Sequence, residues 1–185
     1  MSTKMGKLLG WLKDLAWVAG AYLLLTNFVV EAYQVPTPSM APTIEGNPNV
    51  FLADRLIVEK VSPHFRDLEI GDIVVFMPPS SVNESTPFLK RVVGLPGNRL
   101  ELRSETLWVD ERPEPRLQAL ERRYMPGGLL QPGQVLTVPA GHLFLMGDNT
   151  DNSLDSRFFG PIPVESVRGR VVFRFWPPGR FGPLD

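Results

Sequence analysis

Between Leu15 and Val30 the chain runs for 16 residues, LAWVAGAYLLLTNFVV, without a charged side chain. As a helix this run is about 24 Å long, at ~1.5 Å rise per residue, a little short of a hydrocarbon core of roughly 30 Å. Leu8, Leu9, Trp11 and Leu12 extend its apolar character backwards. Lys13 and Asp14 then fall at one boundary, where a lysine can reach the interface. Trp11 and Trp17 toward one end and Tyr33 at the other stand where interfacial aromatics belong. Lys4, Lys7 and Lys13 precede the run, against the single acid Asp14. That bias predicts an N-terminus in the cytoplasm and everything after Val30 outside. A cleaved signal peptide would share the basic start. The following residues, Glu31-Ala32-Tyr33-Gln34-Val35-Pro36, offer no small-x-small cleavage site. The chain is therefore read as a cytoplasmic segment over 1–14, an uncleaved transmembrane signal-anchor over 15–33 and an extracytoplasmic domain over 34–185.

The domain is expected to be mainly β, with antiparallel pairing. Gly and Pro number 16 and 19, about a fifth of the chain, too many for a helix bundle. Short strands are predicted at Val50 to Val61, Asp72 to Met77, Phe88 to Leu95, Gln134 to Val138, His142 to Met146 and Arg168 to Trp176. Arg99 to Leu102 and Thr106 to Val109 read as a hairpin around Arg103-Ser104-Glu105. Leu95-Pro96-Gly97-Asn98 has Pro and Gly where a type II turn needs them. Residues 110–133, polar and rich in Pro and Gly, read as an accessory extension on the core. A net charge of −1 excludes a broadly basic nucleic-acid binder. Absence of Cys excludes a disulfide framework, a thiolate nucleophile and Cys-ligated zinc.

Three segments are candidates for chemistry. In Pro36-Thr37-Pro38-Ser39-Met40-Ala41-Pro42-Thr43-Ile44 the prolines fix φ and remove donors, so the loop is stiff. Such a loop suits a hydroxyl held in one pose, and equally a spacer lifting a domain off a bilayer. In Phe88-Leu89-Lys90-Arg91-Val92-Val93-Gly94 alternation places Lys90 between Phe88 and Val92, and Arg91 between Leu89 and Val93. A lysine among apolar neighbours loses charge stabilisation, whereas a lysine on a sheet edge is solvated and guards against aggregation. The third segment, Met146 to Pro161, is a dense polar loop whose Asp, Asn and Ser side chains suit turn amides. A calcium loop from Asp148, Asn149, Asp151 and Asp155 lacks the helix–loop–helix frame and the glutamate at position 12. No cofactor or metal is expected.

Taken together and in order, Ser39-Met-x-Pro-Thr, Lys90-Arg-Val-Val-Gly-Leu-Pro-Gly and Gly147-Asp-Asn-x-x-Asn-Ser-x-Asp-Ser-Arg after an N-terminal anchor resemble the bacterial type I signal peptidases. The resemblance implies a β-rich catalytic domain. It implies Ser39 as nucleophile and Lys90 as general base. Thr37 takes the position whose hydroxyl joins the Ser39 N–H in the oxyanion hole. Ser153 takes that of the serine orienting the base, and Asp155 and Arg157 form a supporting ion pair. Thr37 stands where many members have Ser, and Thr150 where Arg or Lys is common. The short stretch between the second and third motifs implies a reduced accessory domain. The implied substrates are secretory preproteins cut after small-x-small sites at the cytoplasmic membrane, with the lipid bilayer and the translocation machinery as partners and no nucleic acid.

The chemistry demands an uncharged lysine. Deprotonating an ordinary lysine at pH 7 costs about 4.6 kcal/mol, which burial can supply. Arginine cannot substitute, because it keeps its proton. Neither His64, in a loop after Pro63, nor His142, before a strand, has a triad context. Ser39 lies nine residues beyond Val30, at most about 30 Å of extended chain, so the site is expected close to the membrane face. Phe158, Phe159 and Trp176 are candidates for lipid contact or for the core. Two other readings compete. One is a non-catalytic, membrane-tethered binding module. The other is a self-cleaving Ser–Lys protein of the DNA-damage-repressor type, which would need a helix-turn-helix at the N-terminus.

Overall fold

The structure is a computed structural model that describes residues 2–24, 26, 29–61, 68–82, 85–118 and 123–184. The first element is the helix α1, Ser2–Leu24. β1, Val30–Gln34, follows and pairs antiparallel with β2, Arg55–Glu59, from Val30 opposite Glu59 to Gln34 opposite Arg55. The expected span over 15–33 is thus corrected at its end, since residues 30–33 belong to a sheet. Val30–Gln34 mixes apolar and polar residues and is not buried, and the antiparallel ladder offered by β2 decides its conformation. Among the described residues no helix is long and apolar enough to cross a membrane. Along α1, Trp11, Leu12, Leu15, Trp17, Val18, Tyr22 and Leu23 are nevertheless exposed.

The remaining strands are β3 (Ile73–Phe76), β4 (Phe88–Gly94), β5 (Arg99–Arg103), β6 (Thr106–Val109), β7 (Arg112–Pro113), β8 (Val135–Thr137), β9 (His142–Met146), β10 (Ile162–Pro163), β11 (Val167–Trp176) and β12 (Gly182–Pro183). The larger sheet runs β1-β2-β11-β3-β4-β9-β10, with β12 paired to β11. The smaller runs β7-β6-β5-β8. All named strand pairs are antiparallel. Two short helices complete the described fold, α2 (Pro115–Gln118) and α3 (Ser156–Phe159).

Local chemistry explains the connections. Ser104 and Glu105 hold φ of 47° and 64°, two consecutive left-handed residues that match the twist of the β5–β6 hairpin. Asp110 and Glu111 repeat the device, at 50° and 67°, between β6 and β7. This second hairpin left little trace in the sequence because its outer strand, β7, is two residues long and ends in Pro. At Leu95–Asn98 the Asn98 N–H donates to Leu95 O at 3.0 Å, and Gly97 takes the φ of 88° that a type II turn demands.

Three apolar clusters hold the sheets. Met40, Ile44, Leu56, Val58, Ile73 and Val75 form one beneath the Ser39 loop. Phe76, Val92, Leu145 and Ile162 belong to a second. The third joins Leu100, Leu102, Leu107 and Val109 of the small sheet to Val93, Phe144 and Met146 of the large one. Leu117, Tyr124 and Leu130 bury themselves in that third cluster. Those three side chains anchor the 110–133 stretch to the core.

Candidate active site

Ser39 sits in a single 3-10 turn, Pro38–Met40, entered from an extended Thr37. Pro38 has φ already set for the turn and lacks an N–H that would have gone unpaired there. Met40 and Ile44, both fully buried, fasten the segment to the core. Gly46 permits the approach of Thr37: a Cβ there would lie 1.6 Å from Thr37 O.

Lys90 comes from β4, opposite Val74 of β3. It is 4% exposed. Its Nζ donates to Ser39 Oγ at 2.8 Å and to Leu89 O at 2.9 Å. The Thr37 hydroxyl donates to Ser39 Oγ at 3.4 Å. Burial pushes the Lys90 amine down to about 8, against the Asp155 carboxylate, which favours the charged form. The Phe88 ring lies 5.5 Å from the same nitrogen.

The pairing of β4 with β9 sets Arg91 opposite Met146 and so brings the loop after β9 alongside. Gly147 is wedged in place: a Cβ would stand 2.2 Å from Ser153 Oγ and 2.5 Å from Ser39 O. Asn149 then clasps the serine turn, its backbone N–H donating to Ser39 O at 3.0 Å and its side chain to Pro38 O at 3.2 Å. Asp155 caps α3 and accepts from Arg157 Nε and Nη2 at 2.8 and 2.9 Å, and from Gly147 N at 3.1 Å. Both partners are fully buried. Arg157 spends its remaining donors on Met125 O and Thr150 O. The Thr150 hydroxyl donates to Arg123 O at 2.8 Å and accepts from Met125 N at 3.3 Å, so it ties the 123–125 segment to this loop.

Ser39, Lys90, Thr37, Asp155 and Arg157 are thus gathered in one region. Ser153 lies beside Gly147 in the same region, with its Oγ buried and without a hydrogen bond among the described residues. The orienting contact on Lys90 comes from Leu89 O instead. Arg91 escaped notice as a functional residue. It forks onto Asp148 through Nε and Nη2, both at 2.8 Å, and Thr43 Oγ1 adds a bond of 2.7 Å to the same carboxylate. The signal for this pair was an arginine inside an otherwise apolar strand, since such a charge needs a partner. Gly147 and Asn149 stand in the third motif without a role that the sequence assigns, and Gly46 carries no comparable signal.

Ser39 and Lys90 line an apolar cleft of about 270 Å³. Tyr33 to Thr37 and Thr86 to Leu89 also line it, with Val75, Asn152 and Leu154. Of the aromatic candidates for lipid contact, Phe159 packs on the core beside Phe76, and Trp176 donates its indole N–H to Phe51 O. Phe158 remains exposed. His142 bonds Ala140 O and lies outside the cleft lining, and His64 falls outside the described residues. Asp148 and Asp155, once considered for calcium, are each engaged by an arginine. Among the described residues no cluster of metal-ligating side chains occurs.

The antiparallel β domain thus sets a buried amine against a hydroxyl at an apolar cleft. Residues 8–176 match the family described as signal peptidase, peptidase S26. Signal peptidase I of Leptolyngbya laminosa is 38% identical over 165 residues, covering 86% of this chain and 75% of that protein. Probable signal peptidase I-1 of Synechocystis is 39% identical over 171 residues, 88% and 79% of the two chains. A crystal structure of a signal peptidase I from Enterococcus faecalis shares 31% identity with a TM-score of 0.45, covering 57% of this chain and 97% of that one. The chain belongs to the signal peptidase family, peptidase S26, and is a serine peptidase. The binding-module and repressor-type readings are set aside.

Proposed function

We propose that this peptidase removes signal peptides from exported preproteins with Ser39 as nucleophile and Lys90 as general base. The contact of 2.8 Å between Lys90 Nζ and Ser39 Oγ carries the proposal. In the neutral amine the nitrogen lone pair accepts the Ser39 proton as Oγ attacks the scissile carbonyl. The Ser39 N–H and the Thr37 hydroxyl face the developing oxyanion. The Lys90 ammonium then gives the proton to the leaving amine, and water, deprotonated in turn by Lys90, hydrolyses the acyl-enzyme. Leu89 O orients the base, and Arg157 holds the Asp155 carboxylate that acts on it. Asp155 limits how far the Lys90 affinity for protons falls.

The confined apolar cleft favours small side chains next to the cut bond, which fits small-x-small sites. The exposed apolar side chains of α1 support attachment to the bilayer through this helix. In the proposed arrangement the lysine-bearing N-terminus is cytoplasmic and both sheets lie outside. A preprotein with an Ala-x-Ala site is the test substrate. Ser39→Ala and Lys90→Arg fold, by circular dichroism and thermal melting, and lose cleavage at least a thousandfold. Substantial cleavage by either variant sinks the assignment. Protease accessibility in sealed vesicles checks the orientation.

A further inference from the structure

The segment carrying Ser39 is held at both ends. Asn149 holds its beginning, through Pro38 O and Ser39 O. Its other end, Pro42–Thr43, meets a cluster from the C-terminal part of the chain. Arg174 of β11 donates through Nη1 to Thr43 O at 2.8 Å. Arg180, in the turn Pro178–Arg180, donates through Nη2 to Pro42 O and to Thr43 O, both at 3.1 Å. Asp54, fully buried, balances the two cations: its Oδ2 lies 3.2 Å from Arg174 Nη1 and 3.4 Å from Arg180 Nη2. The same oxygen accepts the Glu45 N–H at 2.9 Å. Arg174 Nε also donates to Arg180 O, which locks the two arginines together. Thr43 reaches from this cluster to Asp148 through its hydroxyl, and Asp148 grips Arg91, the neighbour of Lys90. Thr43 therefore touches both the frame behind the serine and the frame beside the lysine.

Neither Arg174, Arg180 nor Asp54 lines the cleft. We propose that Arg174, supported by Asp54 and Arg180, is a positioning residue for the nucleophile: it fixes the Thr43 carbonyl, beside the Pro42 carbonyl held by Arg180, and so sets the reach of Ser39 Oγ from Lys90 Nζ. The proposal rests on the reading of Ser39 as nucleophile. A guanidinium is needed because one planar fork serves a carbonyl, a carboxylate and a second carbonyl at once. Misplacing a reacting atom by a fraction of an ångström slows the chemical step without weakening substrate binding.

The test compares full-length Arg174→Met, Arg174→Lys and Arg180→Gln on the Ala-x-Ala preprotein, below the melting temperature of each. Arg174→Met lowers kcat by about tenfold or more with KM within roughly twofold, Arg174→Lys restores part of the loss, and Arg180→Gln shows a smaller fall in kcat alone. If Arg174→Met does not fold, the more exposed Arg180→Gln decides. An unchanged kcat overturns the proposal, as does a loss shared by kcat and KM or matched by the fraction unfolded. If wild type cleaves and Ser39→Ala does not, such a result sinks the positioning role alone; if Ser39→Ala still cleaves, the nucleophile assignment itself falls.

Discussion

Lys90 shows how environment converts an ordinary side chain into a base. With its proton affinity lowered to about 8, roughly a tenth of the amine is neutral at pH 7, and the cost of deprotonation is about 1.4 kcal/mol. The kcat/KM for preprotein cleavage should therefore climb with pH to a plateau, with a midpoint near 8, read from initial rates between pH 6 and 10. Stability should move the same way. The unfolded chain holds its Lys90 proton up to about 10.5, the folded chain only to about 8, so between these values the unfolded state binds more protons. Stability contributed by this residue rises across that window, by up to about 3 kcal/mol, and is level below about 8, where both states hold the proton. Denaturant melts at pH 7, 9 and 10 should show this rise in wild type and its absence in Lys90→Met. Gly147 is the other demanding residue. Gly147→Ala drives a Cβ into Ser153 Oγ and Ser39 O, and the serine turn must shift. Cleavage should fall at least a hundredfold in a steady-state assay, with stability reduced by about 1–3 kcal/mol by denaturant melts.

At the scale of elements, β4 matters because it delivers two adjacent cations to different partners. Lys90 goes to an alcohol, and Arg91 to a carboxylate that fully accounts for its charge. Asp148→Asn leaves the buried Arg91 uncompensated. It should cost roughly 3–5 kcal/mol in a denaturant titration, whereas exposed pairs such as Arg99–Glu111 should cost almost nothing. The loop after β9 is held from outside by residues 123–130. The Thr150 hydroxyl and the Arg157 guanidinium bind the 123–125 backbone, and Leu129 N donates to Arg157 O at 2.7 Å. Thr150→Val removes both bonds of its hydroxyl and should lower stability by about 1–3 kcal/mol while leaving KM near its original value. In the sequence residues 110–133 read as an accessory extension because the three buried anchors, Leu117, Tyr124 and Leu130, are scattered among polar residues without a period. Only the closed third cluster reveals their purpose.

For the whole molecule, the ladders of the described residues begin at Val30 and include no residue of α1. A chain starting at Glu31 should fold and cleave a preprotein in detergent, yet fail to sediment with phospholipid vesicles that carry down the full-length protein. Much of this organisation is written locally. Alternating side chains mark Arg99–Arg103 and Thr106–Val109 as strands, Pro96-Gly97 makes its turn wherever it stands, and the order of three short motifs points to the peptidase family. Those are properties of a residue and its near neighbours, so a linear reading reaches them. Where the apolar run stops being helix was settled by β2, which offered Val30–Gln34 a ladder. Whether Lys90 is wet or dry was likewise settled by residues far along the chain, because desolvation depends on what packs over an amine and not on what precedes it. The partnership of Arg91 with Asp148, the clasp of Asn149 on the serine turn and the arginines behind Thr43 join positions from 57 to over 130 residues apart. Charge compensation acts through space, and only the folded chain brings those groups within its range.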